Sequence, residues 1–396
     1  MANTQGYHYP DVGTDPEVFL MKRGNVVAAQ EVLPKPLPAK RAKYDNVAVE
    51  FNMHAAECLQ SVNNEIAKSI NAFYKHLLKR NFPITDKTIS LRPAEILTKA
   101  VLKKYTSVKQ FGCDPSMLFD GTNLRVSRPQ VDPEEVLYRS IGYHVHLGCD
   151  APGGDPYYTS SRTLELQKLL HSTNGRVRIV QMCDLVAGLP AVLLERNDER
   201  VKWRRQILGY GRAGEFREQP HGFEYRSLGP WPVSSPMWAW WANGAVRDAL
   251  QLVAIGADEK LLQRVSIVEV QDAINTNDMG KALVCWTKIK AALKELDLIG
   301  DNFTYHDRHP ILCEQNLAKL EFIIVNGGLS FANNSNIMFS FSRWIQRQRG
   351  DTGRFTAYYT GFPKSTQKLI ARKEKLWTPY KKAWKVSEDN ITRHLV

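Results

Sequence analysis

Four short segments, far apart in the chain, each carry a polar pair two residues apart: Asp15 and Glu17, Glu50 and Asn52, His144 and His146, Glu224 and Arg226. In an extended strand such a pair points to one face and the residues between point to the other. The opposite faces read as apolar: Val18 and Leu20, Val47, Val49 and Phe51, Tyr143, Val145 and Leu147, Phe223 and Tyr225. A sheet that gathered all four strands would hold four carboxylates, two imidazoles and a guanidinium on its polar side. Carboxylate oxygens with an imidazole suit magnesium or manganese, the hard divalent ions that chelate nucleotide phosphates. Arg212 and Arg217 add permanent cations near Arg226, and their planar forks hold phosphate or carboxylate oxygens through paired hydrogen bonds. The plainer alternative for this last segment is a cross-strand ion pair between Glu224 and Arg226 with solvated arginines around it.

The elements that must position these groups follow from pattern. Gly13 to Lys22 and Val26 to Ala29 read as a hairpin with Gly24-Asn25 at the turn, and Asn46 to Met53 as an alternating strand. Leu33–Lys43 between them, rich in Pro and Lys, reads as a linker. Leu59, Val62, Ile66, Ile70, Phe73 and Leu77 recur at helical spacing over Glu57–Lys79, which predicts a helix packed on the sheet. Gly112-Cys-Asp-Pro-Ser echoes Gly13-Thr-Asp-Pro-Glu and hints at a second hairpin. Ile141 to Gly148 reads as a strand, and Gly209 to Trp231 as a glycine-loosened loop, a strand at Phe223–Ser227 and a Pro-marked exit. Beyond it the chain is helical over Pro236–Ile255, Glu259–Asn275 and Asp278–Leu296, with Trp238, Trp240 and Trp241 plugging the domain. Asp301, His306, Asp307 and His309 read as a polar turn rather than a metal site.

Other motifs lack their context. Gly209-Tyr-Gly-Arg-Ala-Gly is formally GxGxxG, but Pro220 interrupts the sequence six residues later and no helical pattern follows. There is no GxxxxGK[ST] run. His144 and His146 with Glu224 could hold zinc for a metal-dependent hydrolase, but no HExxH helix accompanies them and the carboxylates exceed what one zinc needs.

The 396 residues, 43% hydrophobic and 24% charged, are those of an ordinary globular chain. No uncharged apolar run reaches the roughly 20 residues that span a bilayer, and Met1–Gly13 lacks a signal-peptide core, so no membrane association is expected. Six scattered cysteines without a CxxC pair suit reduced thiols in a cytoplasm. The net charge of +12 is concentrated in Phe341–Val396, where 13 Lys and Arg face 4 Asp and Glu among several aromatic residues. Such a tail can bind nucleic acid or another acidic partner, or can simply anchor to the domain through its aromatics.

DPEVF, VEFN, GCDP, GYHVHLG and YGRAGEFR…GFEYRSLGPW, in order over residues 11–235, resemble the phage-type carboxylate-amine ligases, type 2, relatives of glutamine synthetase and glutamate-cysteine ligase. The resemblance implies an α+β fold with a glutamine-synthetase-like curved antiparallel sheet, helices on its apolar face, ATP and two or three magnesium (or manganese) ions. It implies amide formation between small-molecule or peptide carboxylate and amine substrates through an acyl phosphate. It implies metal ligation by Asp15, Glu17, Glu50, His144 and Glu224, nucleotide contacts from His146, Asn52, Arg212 and Arg226, and catalytic roles for Arg212, Arg217 and Arg226, with the choice between His144 and His146 as the metal's histidine left open. Only Glu50 is clear in the second acidic block, leaving Asp45 or Glu57 as its open partner. The expected organisation is a catalytic domain over residues 1–300 and a basic, aromatic-rich, mainly helical extension over 301–396, in a phage protein acting in a bacterial cytoplasm. A nucleic-acid or virion-associated binding protein on an inactive ligase fold is the competing reading.

Overall fold

The computed structural model describes residues 10–84, 88–105, 108, 116–128, 131–132, 136–149, 161–195, 198–299, 312 and 314–325. The Gly112-Cys-Asp-Pro run, Cys313, the turn holding Asp301, His306, Asp307 and His309, and the basic tail from Phe341 lie outside the described residues.

β1 (Asp11–Thr14) and β2 (Glu17–Lys22) are one extended run interrupted at Asp15-Pro16, where proline has no N–H to give a ladder. β3 (Asn25–Val27) returns through a two-residue turn at Arg23-Gly24, both at positive φ, 52° and 81°. The turn therefore lies one residue earlier than the expected Gly24-Asn25, and Asn25 pairs with Lys22. This is the geometry whose twist matches the flanking strands, with glycine in the second central position. β4 (Ala42–Asp45) and β5 (Ala48–Phe51) form a hairpin about Asn46-Val47, with Asn46 at a φ of 53°. β4 falls at the end of the stretch read as a linker: it is short and charged, and pairing with β5 rather than an alternating pattern makes it a strand.

β6 (Ile89–Ser90) pairs with β2, and β7 (Ala94–Ile96) forms a separate two-stranded ladder with β10 (Tyr138–Ser140). β8 (Ser116–Phe119) and β9 (Leu124–Ser127) are the second hairpin that the repeated Gly-x-Asp-Pro run suggested. β11 (Val145–Gly148), β12 (Glu215–Gln219) and β13 (Gly222–Tyr225) complete a six-stranded sheet in the order β1-β11-β13-β12-β8-β9. A five-stranded sheet carries β3-β2-β5-β4, with β6 also on β2. Backbone bonds from Asp15 N to His144 O and from Glu17 N to Gly142 O continue the β1–β11 ladder past the proline. Val12 and Ala56 bond reciprocally on the other side of β1. The two antiparallel sheets thus join along β1 and β2 into one curled half-barrel.

The helices cover the apolar side. Leu59–Lys79 buries all six residues of its expected stripe and packs on β1, β4 and β5. The helical run from Ser161 breaks at Ser172, whose hydroxyl caps the next helix by accepting from Gly175 N–H. Gly175 admits a close crossing there, since a Cβ would stand 2.2 Å from Leu169 O. A π turn at Asp184–Gly188 then leads into Leu189–Glu195. By length and composition Thr173–Glu195 could cross a membrane, but 89% of its apolar window is buried within the fold, as in a core helix.

Pro236–Ala254 opens with Ser235 as N-cap and proline at N1, and is buried almost all round. Trp238 and Trp241 meet Trp231 at its foot with ring centroids 5.4 and 6.0 Å away. The expected helix over 259–275 is two, Ala257–Leu262 and Ile267–Thr276, and Met279–Glu295 and Glu314–Val325 follow. The architecture is α+β, with the helical layer on one side of the sheet and the polar pairs on the other.

Candidate functional site

Strand register decides which polar groups meet. Glu17 on β2 stands directly opposite Glu50 on β5, and Glu50 opposite Lys43 on β4. Across the middle of the sheet the row runs Gly13, His146, Glu224, Arg217. Cross-strand neighbours project to the same face, so each row lies on one face of its sheet.

Two groups of ligand-type atoms result, each with all its atoms within 4.8 Å of one another: Asp15, His144 and Glu224, and beside them Glu17, Asp45 and Glu50. The second carboxylate that the sequence left open is therefore filled geometrically by Asp45, through the unexpected strand β4. Glu57 is exposed, and its carbonyl accepts from Arg247 instead.

In the first group His144 Nδ1 lies 3.2 Å from Asp15 Oδ1 and 3.5 Å from Glu224 Oε1. Burial would raise the Asp15 carboxyl, but the imidazoles of His146 and His144 outweigh it and hold the group well below its ordinary range. Asp15 Oδ1 is buried and accepts no hydrogen bond of good geometry. Glu224 is fully buried; Arg226 and the two histidines overcome its burial and lower its pKa. Its Oε1 accepts from Arg226 Nη1 at 2.5 Å, and its Oε2 accepts from Gln219 and lies 3.6 Å from Arg217 Nη1. The ion pair between Glu224 and Arg226 is thus real and wholly buried, and it sits inside the polar cluster rather than on a solvated surface.

The second group is electrostatically strained. Burial, then repulsion from Asp45, Glu50 and Asp15, pushes Glu17 well above the ordinary carboxylate range, although Gly142 N–H donates to its Oε2 at 2.7 Å. Glu50 is pushed up to about 7 by burial and the Asp15 carboxylate, against the pull of Lys43, whose Nζ is 3.0 Å away. Asp45 is raised by burial. Three crowded carboxylates and one lysine leave negative charge uncompensated, which is the environment a divalent cation relieves. Oxygen donors dominate both groups, with a single imidazole in the first, so the donor chemistry fits magnesium or manganese.

The remaining expected residues fall around these groups. His146 Nε2 is 3.3 Å from Asp15 Oδ1 and its Nδ1 is 3.2 Å from His221 Nε2. Burial opposes charging of His146, yet Asp15 raises its pKa. His144 moves the other way, lowered by burial and by Arg226. Arg212 donates through Nη2 to Ser127 Oγ at 2.8 Å and through its backbone N–H to Glu215 Oε2, tying the glycine loop to β9. Asn52 lies one residue past β5; its backbone is held by Arg41 and Ser69, and its side-chain amide makes no hydrogen bond among the described residues. Sequence reasoning missed Tyr210, Lys43, Gln219 and His221. Only Tyr210 carried a usable signal, its place between two glycines in the loop that precedes the arginines.

Fold and site together define an α+β protein whose curled antiparallel sheet bears two acidic ligand groups with Arg217 and Arg226 against one of them. Residues 170–310 match the family described as phage phiEco32-like COOH.NH2 ligase-type 2, so the chain is similar to carboxylate-amine ligases at the level of the family. The matched stretch contains Tyr210, Arg212, Arg217, Glu224 and Arg226; Asp15, Glu17, Asp45, Glu50, His144 and His146 lie before it. No individual curated protein matches the chain.

Proposed function

We propose that the protein is an ATP-dependent carboxylate-amine ligase on a glutamine-synthetase-like core, acting in the cytoplasm of a phage-infected bacterium. The single observation that carries the reading is the adjacency of two cation-type ligand groups, Asp15/His144/Glu224 and Glu17/Asp45/Glu50, with the Arg226 guanidinium bonded to a member of the first. Magnesium or manganese held there would neutralise phosphate oxygens and position them for transfer.

The reaction needs activation because hydroxide is too poor a leaving group for direct attack by an amine on a carboxylate. A substrate carboxylate oxygen attacks the γ-phosphorus of ATP, the bond to the β,γ-bridging oxygen breaks, and ADP leaves. A neutral amine then attacks the acyl carbon, the acyl carbon–oxygen bond breaks, and one proton from the nitrogen leaves with the phosphate to give the amide. Arg226 stabilises charge on the transferring phosphoryl group from a preorganised, buried position, while Arg217 and Arg212 hold anionic oxygens of nucleotide or acid substrate. His146 and Asn52 are the further nucleotide contacts in this reading. Residues 1–300 would form the catalytic unit and 301–396 an extension.

Hydroxylamine is a general nucleophile for acyl phosphates, so the test is incubation with ATP, manganese and a panel of carboxylic acids, amino acids and peptides. The expected products are a hydroxamate, ADP and phosphate in equal amounts, with none of them formed in chelator. AMP and pyrophosphate in place of ADP and phosphate would overturn the acyl-phosphate route.

A further inference from the structure

Tyr210 belongs to neither ligand group, yet its hydroxyl stands 2.6 Å from His144 Nε2, the ring nitrogen opposite the one that faces Asp15 and Glu224. The same hydroxyl accepts from Arg226 Nη2 at 3.2 Å. The phenol ring meets His144 edge to face at 5.9 Å, and the guanidinium carbons of Arg204 and Arg226 lie 4.9 and 5.3 Å from its centroid.

The backbone is shaped to deliver it. Gly209 and Gly211 flank Tyr210 at positive φ, 66° and 68°, and Tyr210 N–H donates to Arg204 O. A Cβ on Gly211 would come within 2.1 Å of the Arg204 guanidinium. Arg204 is itself fully buried and donates to the carbonyls of Arg226 and Ser227, so the loop is locked to the end of β13.

Resting on the proposed metal-dependent reading of the site, we infer that Tyr210 is the positioning residue that sets His144 as a cation ligand through Nδ1. A neutral imidazole that presents the Nδ1 lone pair must carry its proton on Nε2, and that N–H needs a buried acceptor; the Tyr210 oxygen is placed to be it. Without a cation the roles reverse: Nδ1–H faces Asp15 and the phenol O–H donates to Nε2. A hydroxyl serves both states by rotating. A bound cation polarises the ring and strengthens the Nε2–H donor, so the contact contributes more in the loaded site than in the empty one, and the difference appears as affinity. Phenylalanine preserves the ring contacts and removes this bond together with the one from Arg226 Nη2, and the His144→Ala background separates the two.

Manganese binding to the full chain, followed by calorimetry and by the electron paramagnetic resonance signal of free ion, should resolve two sites. Tyr210→Phe is expected to weaken one of them by ~10- to 100-fold, as loss of an outer partner of a ligating histidine does. The other site, at Glu17, Asp45 and Glu50, should keep its affinity. In a His144→Ala background the same Tyr210→Phe change should have no further effect on affinity, since its route through the imidazole is gone. Unchanged affinity at both sites, equal weakening of both, or an undiminished effect in the His144→Ala background each overturns the role given to Tyr210. Failure of the unaltered chain to bind manganese would instead overturn the metal reading on which the role rests.

Discussion

Glu50→Gln should stabilise the cation-free protein, and by an amount that depends on pH. Glu50 is 7% exposed, faces Glu17 across the β2–β5 ladder and has its pKa raised from 4.5 to about 7. A raised folded-state pKa means the folded chain binds this proton more tightly than the unfolded chain. Its contribution is therefore fully present below pH 4.5 and is lost as pH rises through about 7. At ~1.4 kcal/mol per pH unit, carrying the charge above pH 7 costs at most roughly 3 kcal/mol. Glutamine removes that cost and also the ion pair with Lys43, whose side chain is 42% exposed, a contact contributing ~0–1 kcal/mol. The expected net gain is about 2 kcal/mol at pH 8, shrinking toward zero near pH 4.5, in urea melts run with chelator. Saturating manganese should reverse the order, because the unaltered chain gains ~2.7 kcal/mol from a cation at a hundred times its dissociation constant. A Glu50→Gln variant less stable than the parent at pH 8 in chelator, or a gain that does not change with pH, would refute the view that these carboxylates are crowded for a cation.

The same kind of substitution at Glu224 should act with the opposite sign. Its pKa is lowered and its Arg226 partner is fully buried, so Glu224→Gln should cost ~3 kcal/mol at neutral pH by leaving a buried guanidinium under-compensated. That loss should fade as pH falls below the ordinary carboxylate range, because stability from a depressed pKa is full above the unfolded value and is lost as pH falls through the folded one; a Glu224→Gln variant more stable than the parent in chelator would contradict it. Removing Phe341–Val396 should abolish binding to a single-stranded polyanion that weakens by orders of magnitude between about 50 and 200 mM salt, while sparing ATP turnover. Polyanion binding that survives the truncation would place the basic surface elsewhere, and lost turnover would make the tail part of the site.

Local pattern carried much of this protein. The alternation in Asp15–Leu20, Val47–Phe51, Tyr143–Leu147 and Phe223–Arg226, and the helical stripe from Leu59 to Leu77, are periodicities that backbone geometry imposes on any chain burying one face. They sufficed for the α+β class and for most of the two faces, but Val47, expected with Val49 and Phe51, joins Phe19 and Ile141 in a second, smaller apolar cluster. Cross-strand register was beyond them, because a slip of one residue reverses every side chain and only long-range pairing forbids it. Register is what brings Glu17 to Glu50, His146 to Glu224, and Arg217 to Glu224. It also makes a strand of Ala42–Asp45, which supplies Asp45 to one group and Lys43 beside it. Likewise, the glycines flanking Tyr210 mark a tight loop but not its target; their left-handed backbone and a buried Arg204 decide that its hydroxyl meets His144. Burial and the charges gathered around each group settled the ionisation of the site as well. Glu50 and Glu224 are the same residue type, and the first is driven toward neutrality while the second is held charged, because one faces carboxylates and the other a guanidinium across distances that only the folded sheet sets.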